Sequence, residues 1–230
     1  HFMLKEINEQ PEAVVNTLRG RVSFDSGRVQ LGELSITDDD LRDINRGVLI
    51  GMGTSLHAAM VGRMWIEKLA KLPAEVDNSS EFRYRDPVID EKTLVISICQ
   101  SGETADTLAA MSEAESKGAR QITLSNHEGA QTTRIADATL QLRAGTEVGV
   151  AATKTFVCSL SALYLIALHL ARVRGVADDS LEAAAVAGLA QLPRLFGGVL
   201  ARQNRFEELA KKYAEYDDFL YLGRGLNYPL

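Results

Sequence analysis

Along this chain, unbroken apolar runs of strand length give way repeatedly to short polar turns and then to segments of good helix formers. Gly47-Val-Leu-Ile-Gly-Met-Gly53 and Thr93-Leu-Val-Ile-Ser-Ile-Cys99 carry almost no polar residue, the pattern of strands covered on both faces in a parallel sheet. Ala74–Asp77 and Gln121–Ser125 read as further strands, and Ala138–Leu142 alternates in the manner of a sheet edge. Helical patterns follow at Thr54–Leu69, where Leu56, Met60, Met64 and Leu69 fall near one face, and at Ala105–Lys117, which closes on a Lys-Gly stop. Strands alternating with helices predict an α/β protein with a doubly wound, five-stranded parallel sheet.

The flanks are helical. Met3, Ile7, Val14, Val15 and Leu18 have loosely helical spacing, with Pro11 marking either a break or a second helix start, so residues 1–44 read as a packing arm. Within that arm, Thr37 followed by three aspartates caps a short helix through Asp43. The core domain is expected over residues 45–175, and alanine-rich helices over 176–215 suit a linker. Asp218-Phe-Leu-Tyr-Leu-Gly-Arg-Gly225 repeats the strand-to-glycine pattern of Gly47–Gly53, so 216–230 read as the start of a second, truncated copy of the fold.

Composition narrows the function classes. With 230 residues, 46% hydrophobic, and a net charge of -6 spread without a basic stripe, the chain can bury a sizeable core and makes a poor nucleic-acid partner. Phe156–Leu170, the longest apolar run, is interrupted by Ser159, Ser161 and His169 and falls short of the roughly 20 residues a bilayer requires, so it reads as a buried helix and no membrane is expected. Cys99 and Cys158 form neither a disulfide framework nor a metal spacing; a reducing cytoplasm and no metal follow.

The candidate chemistry lies in three turns that each precede a helix: Gly53-Thr54-Ser55, Gln100-Ser101-Gly102-Glu103-Thr104, and Gly145-Thr-Glu-Val-Gly-Val-Ala-Ala-Thr-Lys154. In an open parallel sheet such turns gather at the carboxyl ends of the strands, where helix N-termini offer unpaired N–H groups to an anion. The first two turns hold no Lys or Arg, so a bound phosphate would be gripped by amides and hydroxyls, which suits a released metabolite better than a tightly held nucleotide. Taken singly, each turn is equally well explained as a capped helix. Arg83 and Arg85 are read as a solvated face before an acidic-partner contact, and His57, Trp65 and His127 as packing or surface residues.

Together, in this order, the three turns resemble the first sugar-isomerase (SIS) domain of the glucosamine-6-phosphate synthase family, also called glutamine:fructose-6-phosphate aminotransferase (isomerising). The likeness extends to His1–Pro11, Phe24–Gly27 and Ser80–Arg85. It implies a three-layer αβα sandwich that binds fructose 6-phosphate and glucosamine 6-phosphate, without a cofactor, in a homodimer. It also implies phosphate contacts at Cys99, Gln100, Ser101 and Thr104, and sugar contacts at Gly53, Thr54, Ser55 and the backbone around Val150. Cys99 and Ala152 stand where the family usually has serine, and a thiol is a weaker donor than a hydroxyl. The family's acid–base residues belong to a second SIS domain and its ammonia source to an upstream glutaminase, so no catalytic residue is assigned here and binding without turnover is expected.

Two other readings compete. A sugar-phosphate-sensing module of a regulator would need a basic helix-turn-helix, which residues 1–45 do not carry. A hydrolase with Cys99 as nucleophile would need small glycines two residues to either side, where Ser97 and Ser101 stand.

Overall fold

The computed structural model describes all 230 residues. Helix α1 (Phe2–Leu18) leads into a two-stranded ribbon of β1 (Val22–Ser23) and β2 (Arg28–Val29), and then α2 (Asp38–Asp43). The domain proper follows as β3 (Arg46–Gly51), α3 (Thr54–Trp65), β4 (Ala74–Asn78), α4 (Ser79–Phe82), β5 (Thr93–Ile98) and α5 (Ala105–Ser116). It continues with β6 (Arg120–Ser125), α6 (Gln131–Ile135), β7 (Ala138–Gln141) and the long α7 (Lys154–Val173), after which come α8 (Asp179–Leu189), α9 (Leu192–Leu200) and α10 (Gln203–Tyr213).

The sheet has five strands in the order β4-β3-β5-β6-β7, every neighbouring pair parallel. Alternation along each strand sends side chains to two different cores. Leu49, Leu94, Ile96 and Leu140 join α1, α3 and α7 on one face, while Val48, Ile50 and Val95 join Phe82, Ala110, Met111 and Ala114 on the other. Helices on both faces of one sheet make the three-layer, doubly wound αβα sandwich expected from the strand pattern. The chain reverses its direction of travel across the sheet between β3 and β5, and an open α/β sheet has its ligand crevice at the carboxyl ends of such a pair.

Helix α7 is apolar over 20 residues, but 72% of its apolar window is buried inside the protein, as fits the central helix of the larger core. The run Asp179–Leu200 has comparable length and only 11% of its window is buried, yet it is broken between α8 and α9.

Several local expectations change. Pro11 lies inside one continuous helix. The carbonyl of Ile7, which loses its usual donor at a proline, accepts the Gln10 side-chain amide at 3.0 Å. The buried face of α1 is Glu6, Ala13, Val14, Thr17 and Leu18, with Met3 and Val15 exposed. On α3 the buried face is Ala58, Ala59, Val61 and Gly62, not Leu56, Met60 and Met64, because small side chains let α3 sit close against α7 and leave the larger ones at the rim. Finally, Asp218–Gly225 forms no strand: Leu220, Tyr221 and Leu222 are exposed, with no neighbouring strand to bond.

Candidate functional site

At the carboxyl ends of β3 and β5 lies a cavity of about 410 Å³, within the range of about 300–1,000 Å³ usual for small-molecule sites. Gly53, Thr54 and Ser55 line it from the β3 side, and Gln100, Ser101 and Thr104 from the β5 side. Gly149, Val150 and Ala152 close it from the loop before α7. The three turns, about fifty residues apart in sequence, thus meet in one place because β3 and β5 are bonded neighbours and α7 packs against α3. A larger cavity of about 720 Å³ lies between α1, α9 and α10, but its walls are almost wholly apolar and bring no set of donors together.

Most donors of the smaller cavity are unspent, Thr107 being an exception whose hydroxyl donates to Ser79 Oγ at 3.3 Å. The hydroxyls of Thr54, Ser55 and Thr104 and the amide of Gln100 make no side-chain bond within the chain, and Ser101 Oγ only accepts the Glu103 amide at 3.2 Å. Thr104 occupies the cap position of α5 without capping it, which leaves that hydroxyl free beside the helix N-terminus. Backbone N–H groups of Gln100, Ser101, Thr104 and of Val150 to Ala152 likewise have no acceptor inside the protein. No lysine or arginine lines the cavity.

An acid in the second turn could repel an anion, but Glu103 is turned away: its Oε1 accepts the Gln131 amide at 2.8 Å and caps α6. The turn itself depends on Gly102, which has φ +68° and whose carbonyl accepts the Thr132 amide at 3.2 Å. In the third turn, Glu147 accepts from the amides of Thr153 at 2.8 Å and Lys154 at 2.9 Å, so its negative charge sits at the N-terminus of α7.

Cys99 departs from the expectation. It forms part of the cavity floor, but its thiol donates to the Leu124 carbonyl at 3.2 Å and its amide to the same carbonyl at 3.0 Å. Neither group is left for a ligand. Burial also pushes the Cys99 thiol up from its ordinary range, against the thiolate a nucleophile requires. The arginines after α4 find partners inside the chain, Arg83 with Asp106 at 2.8 Å and Arg85 with Asp77. His57 is exposed, its Nδ1 2.6 Å from the Pro229 carbonyl; Trp65 packs edge-on against Tyr164, and His127 is exposed.

The family model described as the SIS domain matches residues 40–169, more than half of the chain and the whole of the cavity. The chain belongs to the SIS-domain family. Among curated relatives, this SIS chain is 44% identical over 231 residues to glutamine–fructose-6-phosphate aminotransferase [isomerizing] of Gloeobacter violaceus, and 45% identical over 230 residues to that of Mycolicibacterium smegmatis. All of the chain is covered in both, but only 37% and 36% of those proteins, so the chain spans little more than a third of their length.

Among solved structures, the C-terminal domain of glucosamine-fructose-6-phosphate aminotransferase from Francisella tularensis superposes with a TM-score of 0.94 at 34% identity. That match covers 100% of this chain and 64% of that one. A phosphosugar isomerase fold from Clostridium difficile gives a TM-score of 0.77 at 21% identity over 92% of this chain and 57% of that one, which speaks to the fold alone.

Residue patterns did not point to Glu6 or Glu147. The available signal was a glutamate on the inward face of an amphipathic helix, and an acid in the turn ahead of a helix N-terminus.

Proposed function

We propose that this SIS domain binds fructose 6-phosphate and glucosamine 6-phosphate as part of an enzyme that makes glucosamine 6-phosphate and glutamate from fructose 6-phosphate and glutamine. The observation that carries this is the cation-free cavity at the β3/β5 switch point, with most of its hydroxyls and amides unspent. The phosphate lies against the Gln100–Thr104 turn and the N-terminus of α5. The sugar extends toward Thr54, Ser55 and the Val150 backbone.

Of the cavity-lining side chains only Cys99 and Glu147 titrate, and both are committed, the thiol to the interior and the carboxylate to the α7 terminus. Moving a proton between two carbons of a sugar requires a free acid–base group, so this domain grips the substrate and leaves the chemistry to another. Residues 1–44 act as an arm and 176–215 as a linker. The protein works as a cytoplasmic homodimer, without a cofactor and with neither nucleic acid nor membrane as partner.

Calorimetric titration with fructose 6-phosphate, inorganic phosphate and a nucleotide tests the binding reading. Preference for the sugar phosphate supports it, and equal heats from all three reduce the cavity to a generic anion site. Formation of glucosamine 6-phosphate by this chain alone, supplied with ammonia, would overturn the claim that it does not turn substrate over.

A further inference from the structure

The loop that brings Val150 to the cavity has no regular structure between Gly145 and Thr153, so its shape is set by elements outside it. Helix α1 supplies part of that shape. Glu6 is only 2% exposed and stands 142 residues from Val148 in sequence, yet its Oε1 accepts the Val148 amide at 2.6 Å and its Oε2 the Gly149 amide at 3.1 Å. No cation contacts this carboxylate; the loop amides are its partners.

Burying a carboxylate is costly unless its oxygens are bonded, and charge-assisted bonds to backbone amides are among the stronger ones available. The pairing is close. A Cβ added to Gly149 would lie 2.6 Å from Glu6 Oε2, so the carboxylate reaches this backbone only because residue 149 has no side chain. One turn further along α1, Glu9 pairs with the buried Lys154 at 2.7 Å and fixes the far end of the same loop. Between these two anchors lie the unspent amides of Val150 to Ala152, and Val150 and Ala152 line the cavity.

We infer that Glu6 is a positioning residue for the ligand: it holds the 147–152 loop so that the amides after Gly149 are presented to the cavity, and so ties the seat of α1 to the affinity of the site. This rests on the reading of the cavity as a sugar-phosphate site. A merely structural staple would cost stability without altering the cavity. Preorganised donors, by contrast, lower the ordering cost of binding, and their loss raises it.

The test uses the whole 230-residue chain with three variants, Glu6→Gln, Glu6→Asp and Val14→Ala, read by calorimetry with fructose 6-phosphate and by amide hydrogen exchange over 148–152. Glu6→Gln replaces one acceptor by a donor that opposes the loop amides. Glu6→Asp keeps the charge but withdraws it by one methylene, and serves if the glutamine variant does not fold. Val14→Ala opens a hole beneath the same helix, two turns away from the loop, where Val14 is fully buried.

Both Glu6 variants are expected to speed exchange at 148 and 149, whose amides Glu6 holds, and to weaken fructose 6-phosphate by about ten-fold. Val14→Ala is expected to lower the melting temperature and to bind within about two-fold of the unaltered chain. Unchanged affinity in both Glu6 variants overturns the proposal while leaving the cavity reading intact, and so does an equal loss of affinity in Val14→Ala. No heat from the unaltered chain overturns the cavity reading, and the proposal with it.

Discussion

Glu147 and Lys154 are joined across the start of α7: the carboxylate accepts the Lys154 amide at 2.9 Å while also holding Thr153 at 2.8 Å. The side chain thus does the work of an N-cap from six residues outside the helix, and brings the loop that walls the cavity back onto the helix it precedes.

Replacing Glu147 by alanine strips these amides of their acceptor and removes a favourable charge from the helix terminus. The expected loss is about 1–2 kcal/mol in urea-induced unfolding. Stability within about 0.5 kcal/mol of the unaltered chain would show that water or another group serves α7 equally well.

Gly102→Ala should be more damaging than its size suggests. The added Cβ would stand 2.6 Å from both Ala130 Cβ and Thr132 Oγ1, at a φ of +68° that disfavours any side chain. About 2–3 kcal/mol of stability is expected to go, together with fructose 6-phosphate binding, since the same turn presents Ser101 and Thr104. A variant that melts normally and binds normally would mean the turn can relax without cost.

Ser101→Ala and Thr104→Val separate binding from folding. Thr104 makes no capping bond and Ser101 only a local one to Glu103, so both variants are expected to unfold within about 0.5 kcal/mol of the unaltered chain. Each should weaken fructose 6-phosphate by about ten-fold, the worth of one hydrogen bond to a charged group. Calorimetry with unchanged affinity in both would place the phosphate elsewhere in the cavity.

His169 gives a pH dependence of known sign. Burial first, and then Arg172, hold its pKa below the ordinary value of 6.5, while Asp38 and Glu182 act in the opposite direction. Arg172 donates to His169 Nδ1 at 3.0 Å, a bond that requires the neutral ring. Because the folded ring takes a proton less readily than the unfolded one, its contribution is complete above about pH 6.5 and is lost as pH falls from there through the lowered folded value. The stability of His169→Gln should therefore fall less than that of the unaltered chain between about pH 7.5 and 5.5 in urea titrations; parallel curves would remove the histidine from the account.

What the residues alone determined were the elements and their sequence: strands at Gly47–Gly53 and Thr93–Cys99, the Thr37 cap of α2, the buried α7, and three glycine-bearing turns at helix starts. These signals are local, because periodicity, capping and turn chemistry act over a few neighbouring positions. Adjacency of β3 and β5 brings the first two turns together, so that part of the cavity wall was legible in advance, while the third turn is placed by the packing of α7 on α3.

Only the tertiary structure decided where individual side chains spend their bonds. It turned the Cys99 thiol inward to Leu124, took Glu103 away to α6, buried the small face of α3 in place of its methionines, and set Glu6 against Val148, 142 residues away. Such choices depend on which backbone groups are left unpaired after packing, and a buried carboxylate or thiol goes to whichever of them lies within reach. No stretch of sequence contains that information until the layers have closed on one another.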